Sequence, residues 1–446
     1  MQTPQKIAVV GSGLVGTLLA IYLKRAGHIV HVFDRSPDIR TIQFSGRSIN
    51  LVMSDRGWKA LKDVGLDEEI RKIGIPVDKR AIHLQDGKLN YQFYGKEGEA
   101  IFSLSRGVLN RKMVDLAEAE GVEFFFERKI WDINLATATL YEGETEQGAW
   151  SELKYDKVFG ADGAFSRIRH RMQRQSMFDY SQEFMEIGYK ELHIPANADG
   201  SHKIDKNSLH IWPRGNFMLM ALANLDGTFT CTLFMPFKGE NSFESLNDET
   251  SLVNFFAKYF PDTKEVIPDL VRDFFKNPTS YLAIMKCFPW TFEDKVALIG
   301  DSAHAIVPFY GHGMNAGFED ITILNEMMQQ YGDDWNQIFK AYEISRKPNA
   351  DAIAELSRRN FEEMSNKTAD EKFLLQKKIE KWFSDKHPEK WMPLYSRVTF
   401  SLQPYSEAMA IGDFQNEIMQ EVLKTENIEE IWDSPQIENK ILELLQ

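Results

Sequence analysis

Cysteine is nearly missing from this 446-residue chain, which has only Cys231 and Cys287. Two cysteines exclude a disulfide framework and suit a reducing compartment. Neither belongs to a Cys-x-x-Cys pair, so no zinc or dithiol site is suggested and no metal is expected. Positive charge is also scarce: the net charge is −14, and basic residues gather in little more than pairs such as Lys24-Arg25. A nucleic-acid partner is therefore not expected. The one long uncharged run, residues 7–23, holds three glycines and meets Lys24 at its end, which argues against a spanning helix. The C-terminal segment IEEIWDSPQIENKILELLQ is amphipathic and acidic and has no spanning length. The expectation is a cytoplasmic protein without membrane contact, and the chain shows neither an internal repeat nor a low-complexity linker.

What is present reads as an enzyme of ordinary composition, 43% hydrophobic and 26% charged. The length suits two or three packed domains. Residues 6–10 (KIAVV) form a short apolar β-branched run that predicts a buried strand, residues 14–26 a helix ending at Gly27, and residues 29–33 (IVHVF) a second strand. Strand, glycine turn, helix and strand make a βαβ unit on a parallel sheet. Between the first strand and the helix, Gly11-Ser12-Gly13-Leu14-Val15-Gly16 fits G-x-G-x-x-G. Its first glycine allows the turn, the second lets backbone approach a pyrophosphate, and the third lets helix and strand pack closely. The helix N-terminus then receives the anion, and Asp34 stands where a ribose hydroxyl would be accepted. This motif predicts a dinucleotide without choosing FAD over NAD.

Further along, residues 183–290 carry strand-like runs (SLHIWP, FMLMALANL, TFTCTLFMP) separated by Gly, Asn and Asp. Residues 295–299 return to a buried-strand pattern, while 313–330 and 335–367 read as helical and 362–390 as a solvated Lys/Glu face. The expected architecture is α/β: a Rossmann-like dinucleotide-binding domain from residues 1–182 and 291–370, which the resemblance given next makes an FAD-binding domain, an inserted mostly β substrate domain at 183–290, and a C-terminal helical region at 371–446.

Two segments choose the cofactor. Gly160-Ala161-Asp162-Gly163-Ala164-Phe165-Ser166-Arg167-Ile168-Arg169 resembles the DG motif of the flavoprotein aromatic hydroxylases, and Gly300-Asp301-Ser302-Ala303-His304 resembles their GD motif. Pro308-Phe309-Tyr310-Gly311-His312-Gly313-Met314-Asn315 is similar to that family's loop beside the isoalloxazine. The three motifs fall in family order and at family spacing, and the resemblance covers roughly residues 5–400. It implies bound FAD contacted by Gly11, Gly13, Gly16, Asp34, Asp162, Asp301, Gly311, Gly313, Met314 and Asn315, with Arg47 and Arg106 near the flavin side chain. It also implies NADPH and O2 as transient co-substrates and oxygen transfer through a flavin hydroperoxide. No second G-x-G-x-x-G follows a strand, which fits a nicotinamide that docks without a Rossmann domain of its own.

Within that family, Gly46-Arg47-Ser48-Ile49-Asn50-Leu51, SLSRGVLNR (103–111), Arg359-Asn360-Phe361-Glu362-Glu363-Met364 and Pro393-Leu394-Tyr395 resemble segments of the members that hydroxylate kynurenine. The implication is that Arg80 and Tyr94 hold the substrate carboxylate and Asn360 and Tyr395 complete a polar clamp, with Pro308 and Phe309 beside the ring. An Arg fork suits a carboxylate. Asn360, Glu363 and Met364 at i, i+3 and i+4 share a helix face. Arg80 also reads as a surface cation beside Lys79, and Tyr395 as a core aromatic. His304 and His312 read as structural, since nothing in sequence pairs either with a carboxylate, and no catalytic residue is assigned. One departure stands out: the family's loop reads Gly-Gln-Gly where this chain has Gly311-His312-Gly313. Three other functions stay open: hydroxylation of another aromatic acid or phenol, a flavin reductase or dehydrogenase, and a flavin-binding module without turnover.

Overall fold

The computed structural model describes residues 3–42, 50–96, 98–365 and 371–446. Lys6–Val10, an apolar β-branched run, is the centre of a six-stranded sheet. It pairs in parallel with Ile29–Phe33 on one side and Lys157–Gly160 on the other. Val296–Leu298 continues the sheet in parallel beyond Lys157–Gly160, and Glu123–Phe125 extends it beyond Ile29–Phe33. The helix Leu14–Arg25 between the first two strands ends with Lys24 and Arg25 in its last turn, where cations suit the carbonyl end. Ile7, Val9, Leu18, Ile21 and Val32 are fully buried between sheet and helices. Strands so enclosed read as continuous apolar runs rather than alternating ones.

A second sheet has seven strands in the order Ser280–Phe288, Asp179–Ile194, Phe229–Pro236, Met218–Ala223, Ser208–Pro213, Lys79–His83 and Leu89–Phe93. Its pairings are antiparallel except that Ser208–Pro213 runs parallel to Lys79–His83, with Leu209 beside Arg80. Two of its strands thus come from the first hundred residues. Side chains alternate across it. One face presents Trp212, Leu219, Ala221, Cys231 and Leu233 to a cluster completed by Leu252, Phe256 and Phe274 from the helices Glu249–Tyr259 and Leu270–Lys276. Those two helices lie inside the stretch that the sequence reads as mostly strand. The other face presents Leu209, Ile211, Met218, Leu222 and Phe234 towards Val307, Phe309 and Met364. That face looks onto the site.

Helices Gly313–Tyr331, Trp335–Ser365, Glu371–Lys386 and Tyr405–Val422 complete the molecule. Among the described residues, no helix is long and apolar enough to cross a membrane, and no His/Cys/Asp/Glu group is arranged to hold a metal. Both cysteines are free and buried.

Candidate active site

At the end of Lys6–Val10 the chain turns at Gly11, whose φ of +113° favours glycine. A Cβ there would lie 2.3 Å from the Ala161 carbonyl, and one on Gly16 would lie 2.1 Å from the Gly11 carbonyl. These two glycines therefore serve close packing. Gly13 differs: a Cβ there meets nothing of the described residues within 4 Å. Gly13 also begins the helix without a side-chain cap, leaving first-turn N–H groups available to an anion. Asp34 accepts from the Ser12 N–H and hydroxyl, both at 2.8 Å, and from the Ser36 N–H at 2.8 Å. Much of its capacity thus goes into holding the glycine turn.

Gly13 opens onto a cavity of about 310 Å3, which Arg80, Arg106, Asp301, Pro308, Phe309, Gly311, Gly313, Met314, Met364 and Tyr395 also line. Asp301 begins a short helix after Val296–Leu298 and is exposed to this space, with no hydrogen-bond partner among the described residues. Arg106 is the first residue of the helix Arg106–Ala119, an end where the dipole disfavours a cation, which points to an anionic partner in the cavity. Asp162 lies behind the wall: it accepts from the Arg167 N–H at 2.6 Å and the Ser302 hydroxyl at 3.1 Å, tying the two later motifs together. Asn315 is likewise a brace. Its amide donates to the Val52 and Gly311 carbonyls at 2.7 and 3.0 Å and accepts from the Ser54 N–H at 2.9 Å. Gly311, held by it, takes the left-handed φ of +73°. Arg47 lies outside the described residues. Among the described residues, an open glycine, an uncapped helix start, an unpaired carboxylate and an unpaired arginine around one cavity fit a dinucleotide.

At the other end stand Arg80 and Tyr395, with Tyr94 packed against both from outside the cavity lining. The Tyr94 and Tyr395 rings stack at 5.1 Å, and Tyr310 stacks on Tyr395 at 5.4 Å. The Arg80 guanidinium sits 4.7 Å from the Tyr395 ring centre and 5.3 Å from that of Tyr94. The Arg80 Nε is buried with no hydrogen-bond partner among the described residues, while the Tyr94 hydroxyl lies against the guanidinium; an unmet buried donor costs stability unless a ligand satisfies it. Burial alone would lower the Arg80 pKa, but the Tyr94 and Tyr395 hydroxyls and the Glu363 carboxylate outweigh it and raise it. The arginine is cationic. Walls are apolar: Leu209, Met220, Leu222, Phe234 and Ile306 line the space.

Not every expected clamp residue enters this cavity. Asn360 donates to the Phe309 carbonyl at 2.6 Å and to the Met364 sulfur at 3.2 Å, so it holds the Pro308–Tyr310 turn. Asn360 and Glu363 line a second cavity of about 790 Å3, and Tyr310 and Tyr395 form a wall common to both spaces. Met364, one turn on, reaches the first. His304, for which sequence shows no acidic partner, pairs with buried Asp320 at 2.5 Å, and Arg346 meets the other oxygen at 2.7 Å. Burial would raise the Asp320 pKa, but His304 and Arg346 hold it below its ordinary value. Asp320 also accepts from the Gly300 N–H at 3.0 Å, so this buried group supports the turn before Asp301. His312 is fully buried and faces away from the cavity, with Nδ1 2.8 Å from the Tyr405 hydroxyl.

Sequence reasoning did not nominate Thr230, Thr232, Met220, Leu222 or Asn50, all of which line the cavity. Period-two alternation within SLHIWP, FMLMALANL and TFTCTLFMP contained the signal for the sheet residues. Asn50 has no such signal: it joins Ser103, Asn224 and Thr230 from three distant segments, at 3.1, 2.9 and 3.0 Å.

Comparison with known proteins agrees with this geometry. The family described as "FAD binding domain" matches residues 5–357. A kynurenine 3-monooxygenase of Flavobacterium johnsoniae is 75% identical over 446 residues, all of both chains. One from Dictyostelium discoideum is 41% identical, covering 95% of each chain. Among solved structures, the tetrameric form of 2-methyl-3-hydroxypyridine-5-carboxylic acid oxygenase superposes with a TM-score of 0.67 at 18% identity, covering 81% of this chain and 93% of that one. Pseudomonas aeruginosa PqsL in complex with 2-aminobenzoylacetate gives 0.66 at 19% identity, covering 82% and 98%. At such identities the structures share the fold.

Proposed function

This chain belongs to the kynurenine 3-monooxygenase family within the FAD-binding proteins, and from that premise we propose that it hydroxylates L-kynurenine to 3-hydroxykynurenine with FAD, NADPH and O2. The observation that carries the reading is the Arg80 Nε, buried and unpartnered among the described residues, at one end of a cavity whose other end is Gly13, Asp301 and Gly311. One end suits a carboxylate and the other a dinucleotide.

FAD, reduced by NADPH, supplies activated oxygen for transfer to the ring. Gly13 and the first turn after it would hold the pyrophosphate, Asp301 the ribitol, and Gly311, Gly313 and Met314 the ring system; Arg106 would face a phosphate. Arg80 holds the amino-acid carboxylate through its fork, and Tyr94 and Tyr395 fix its orientation. Phe309, Pro308, Phe234 and Met364 keep water from the aromatic ring, protecting oxygen transfer from loss as peroxide. No side chain need act as a base, because the ring amine of kynurenine already activates the neighbouring carbon. Asn360 and Glu363 act from behind, by positioning the Phe309 turn and the charge of Arg80. The FAD-binding unit is residues 1–182 with 291–370 and the substrate unit 183–290, except that the strands Lys79–His83 and Leu89–Phe93 and the start of Asp179–Ile194 belong to the substrate sheet; the helical region is 371–446. A cytoplasmic location suits the two free thiols.

The test is aerobic NADPH oxidation by the yellow protein with and without L-kynurenine, with the product weighed by mass spectrometry. Strong stimulation and a product heavier by one oxygen atom are expected. Stimulation that yields only H2O2 would make kynurenine an effector and sink the substrate assignment.

A further inference from the structure

The loop at the cofactor end is tied to a part of the chain outside the matched FAD-binding segment. His312 immediately precedes the helix Gly313–Tyr331, which has no side-chain cap, and Gly311 and Gly313 on either side of His312 line the cavity. The imidazole turns away from that cavity. Its Nδ1 lies 2.8 Å from the hydroxyl of Tyr405, the first residue of the helix Tyr405–Val422, and the two rings meet edge to face at 5.7 Å. Tyr405 itself is fully buried between His312 and Arg56, whose guanidinium lies 3.8 Å from the centre of the tyrosine ring. Arg56 pairs with Glu319 and donates to the Val398 and Gln403 carbonyls. Glu319 lies two turns into the helix that His312 begins and also pairs with Arg346 at 2.6 Å. Tyr405 is thereby fixed on one side to the start of the cofactor helix and on the other, through Arg56, to the body of that helix.

The C-terminal helix has its own docking contacts. Ser406 donates to the Asn349 side-chain oxygen through N–H and hydroxyl at 3.0 and 3.1 Å, and Asp413 pairs with Arg359 at 2.6 Å. The family match ends at residue 357, well before Tyr405.

We propose that the His312–Tyr405 contact is a positioning device by which the C-terminal helix sets the cofactor loop, making FAD affinity and C-terminal docking two readings of one equilibrium. His312 is the positioning residue: its ring does not line the cavity, and it would act on bound FAD through the backbone of Gly311 and Gly313, which do. Burial, with Arg56 nearby, pushes the imidazole pKa down to about 3, so the contact is between neutral partners and does not switch near neutral pH. The proposal needs FAD binding but not kynurenine turnover, so it stands or falls separately from the substrate assignment.

Linkage makes the test reciprocal. In the parent protein, adding FAD to the apo form should slow hydrogen exchange across residues 405–422. Tyr405→Phe, which keeps the ring over Arg56 and removes only the hydroxyl, should lose most of that protection. It should also raise the FAD dissociation constant by about 2- to 10-fold, the range for one buried hydrogen bond, and shift the flavin visible spectrum. Two results would overturn the proposal. One is exchange across 405–422 that does not respond to FAD in the parent. The other is a Tyr405→Phe variant with a lower melting temperature but unchanged FAD affinity and spectrum, which would make the contact purely structural. If Tyr405→Phe does not fold, the parent exchange measurement alone decides.

Discussion

Arg80 enters the cavity from a strand whose backbone is held on both sides, by Leu209 and by Gln92. Such a residue loses little freedom when it grips a ligand. Removing it in Arg80→Ala should cost the charge-assisted bonds to the carboxylate, about 1.5–3 kcal/mol, or roughly a 10- to 150-fold rise in KM for kynurenine with kcat little changed. Steady-state kinetics checks this, and an unaltered KM removes the clamp. Arg80→Lys should recover only part of the loss, since an ammonium cannot copy the fork. At this scale motif resemblance named Arg80 and Tyr395, both of which line the cavity. It could not separate Met364, which reaches the cavity, from Asn360 and Glu363, which share its helix face but open on the second space. A helix face is wide enough to straddle a wall, and only the position of Tyr310 and Tyr395 decides the side.

The glycine turn allows a sharper contrast at the level of elements. Gly16→Ala places a Cβ 2.1 Å from the Gly11 carbonyl, so strand and helix must separate. Gly13→Ala meets nothing of the described residues within 4 Å. The first variant should lower the melting temperature of the apo protein, while the second should leave it near that of the parent yet weaken FAD binding at least about tenfold by blocking close approach of a phosphate. Apo-protein melting and fluorescence titration with FAD distinguish them; equal behaviour of the two would contradict the division of labour. Gly311→Ala should also lose flavin, because its φ of +73° is costly for alanine by about 1–2 kcal/mol and its Cβ would press on Val52 at 3.1 Å. The βαβ unit was legible because its period, glycines and terminal acid are local. The helices Glu249–Tyr259 and Leu270–Lys276 were not separated from their strand-rich surroundings, although Asp248 caps the first in a box with Ser251. An Asp-x-x-Ser box is a weaker textual cue than the alternating runs around it.

Across the whole molecule, stability rests partly on charges and bases kept from water. His312 is held near 3 by burial with Arg56 nearby, and His210 near 4, chiefly by burial. Both lie below the ordinary 6.5, so the unfolded chain takes up these protons first as the pH falls. Their contribution is complete above about pH 6.5 and is lost on descending towards 4 and then 3, at about 1.4 kcal/mol for every tenfold difference in proton affinity between folded and unfolded chain. Melting temperature should therefore fall between pH 7.5 and 5, and more gently in His210→Gln; an identical slope would remove that histidine from the account. Breaking the buried group in Arg346→Met leaves Asp320 and Glu319 short of a cation and should cost about 3–5 kcal/mol. Denaturant unfolding measures this, and a change under about 1 kcal/mol would refute it. None of these partnerships could be read from the chain, because Asp320 meets its histidine and its arginine through tertiary packing, and no spacing rule connects them.

The parallel pairing of Arg80 with Leu209 also orders events in time. Arg80 is made early, yet the strand that fixes it follows roughly 130 residues later. At 5–20 residues per second, the ribosome holds that half-built sheet for about 6–26 seconds. During that interval Lys79–His83 and its hairpin partner Leu89–Phe93, with Leu89, Tyr91 and Phe93 still exposed in the finished protein, have no neighbour on the Arg80 side. Nascent chains stalled before residue 208 should therefore bind chaperones more strongly than those long enough to have exposed residues 208–236 outside the ribosome.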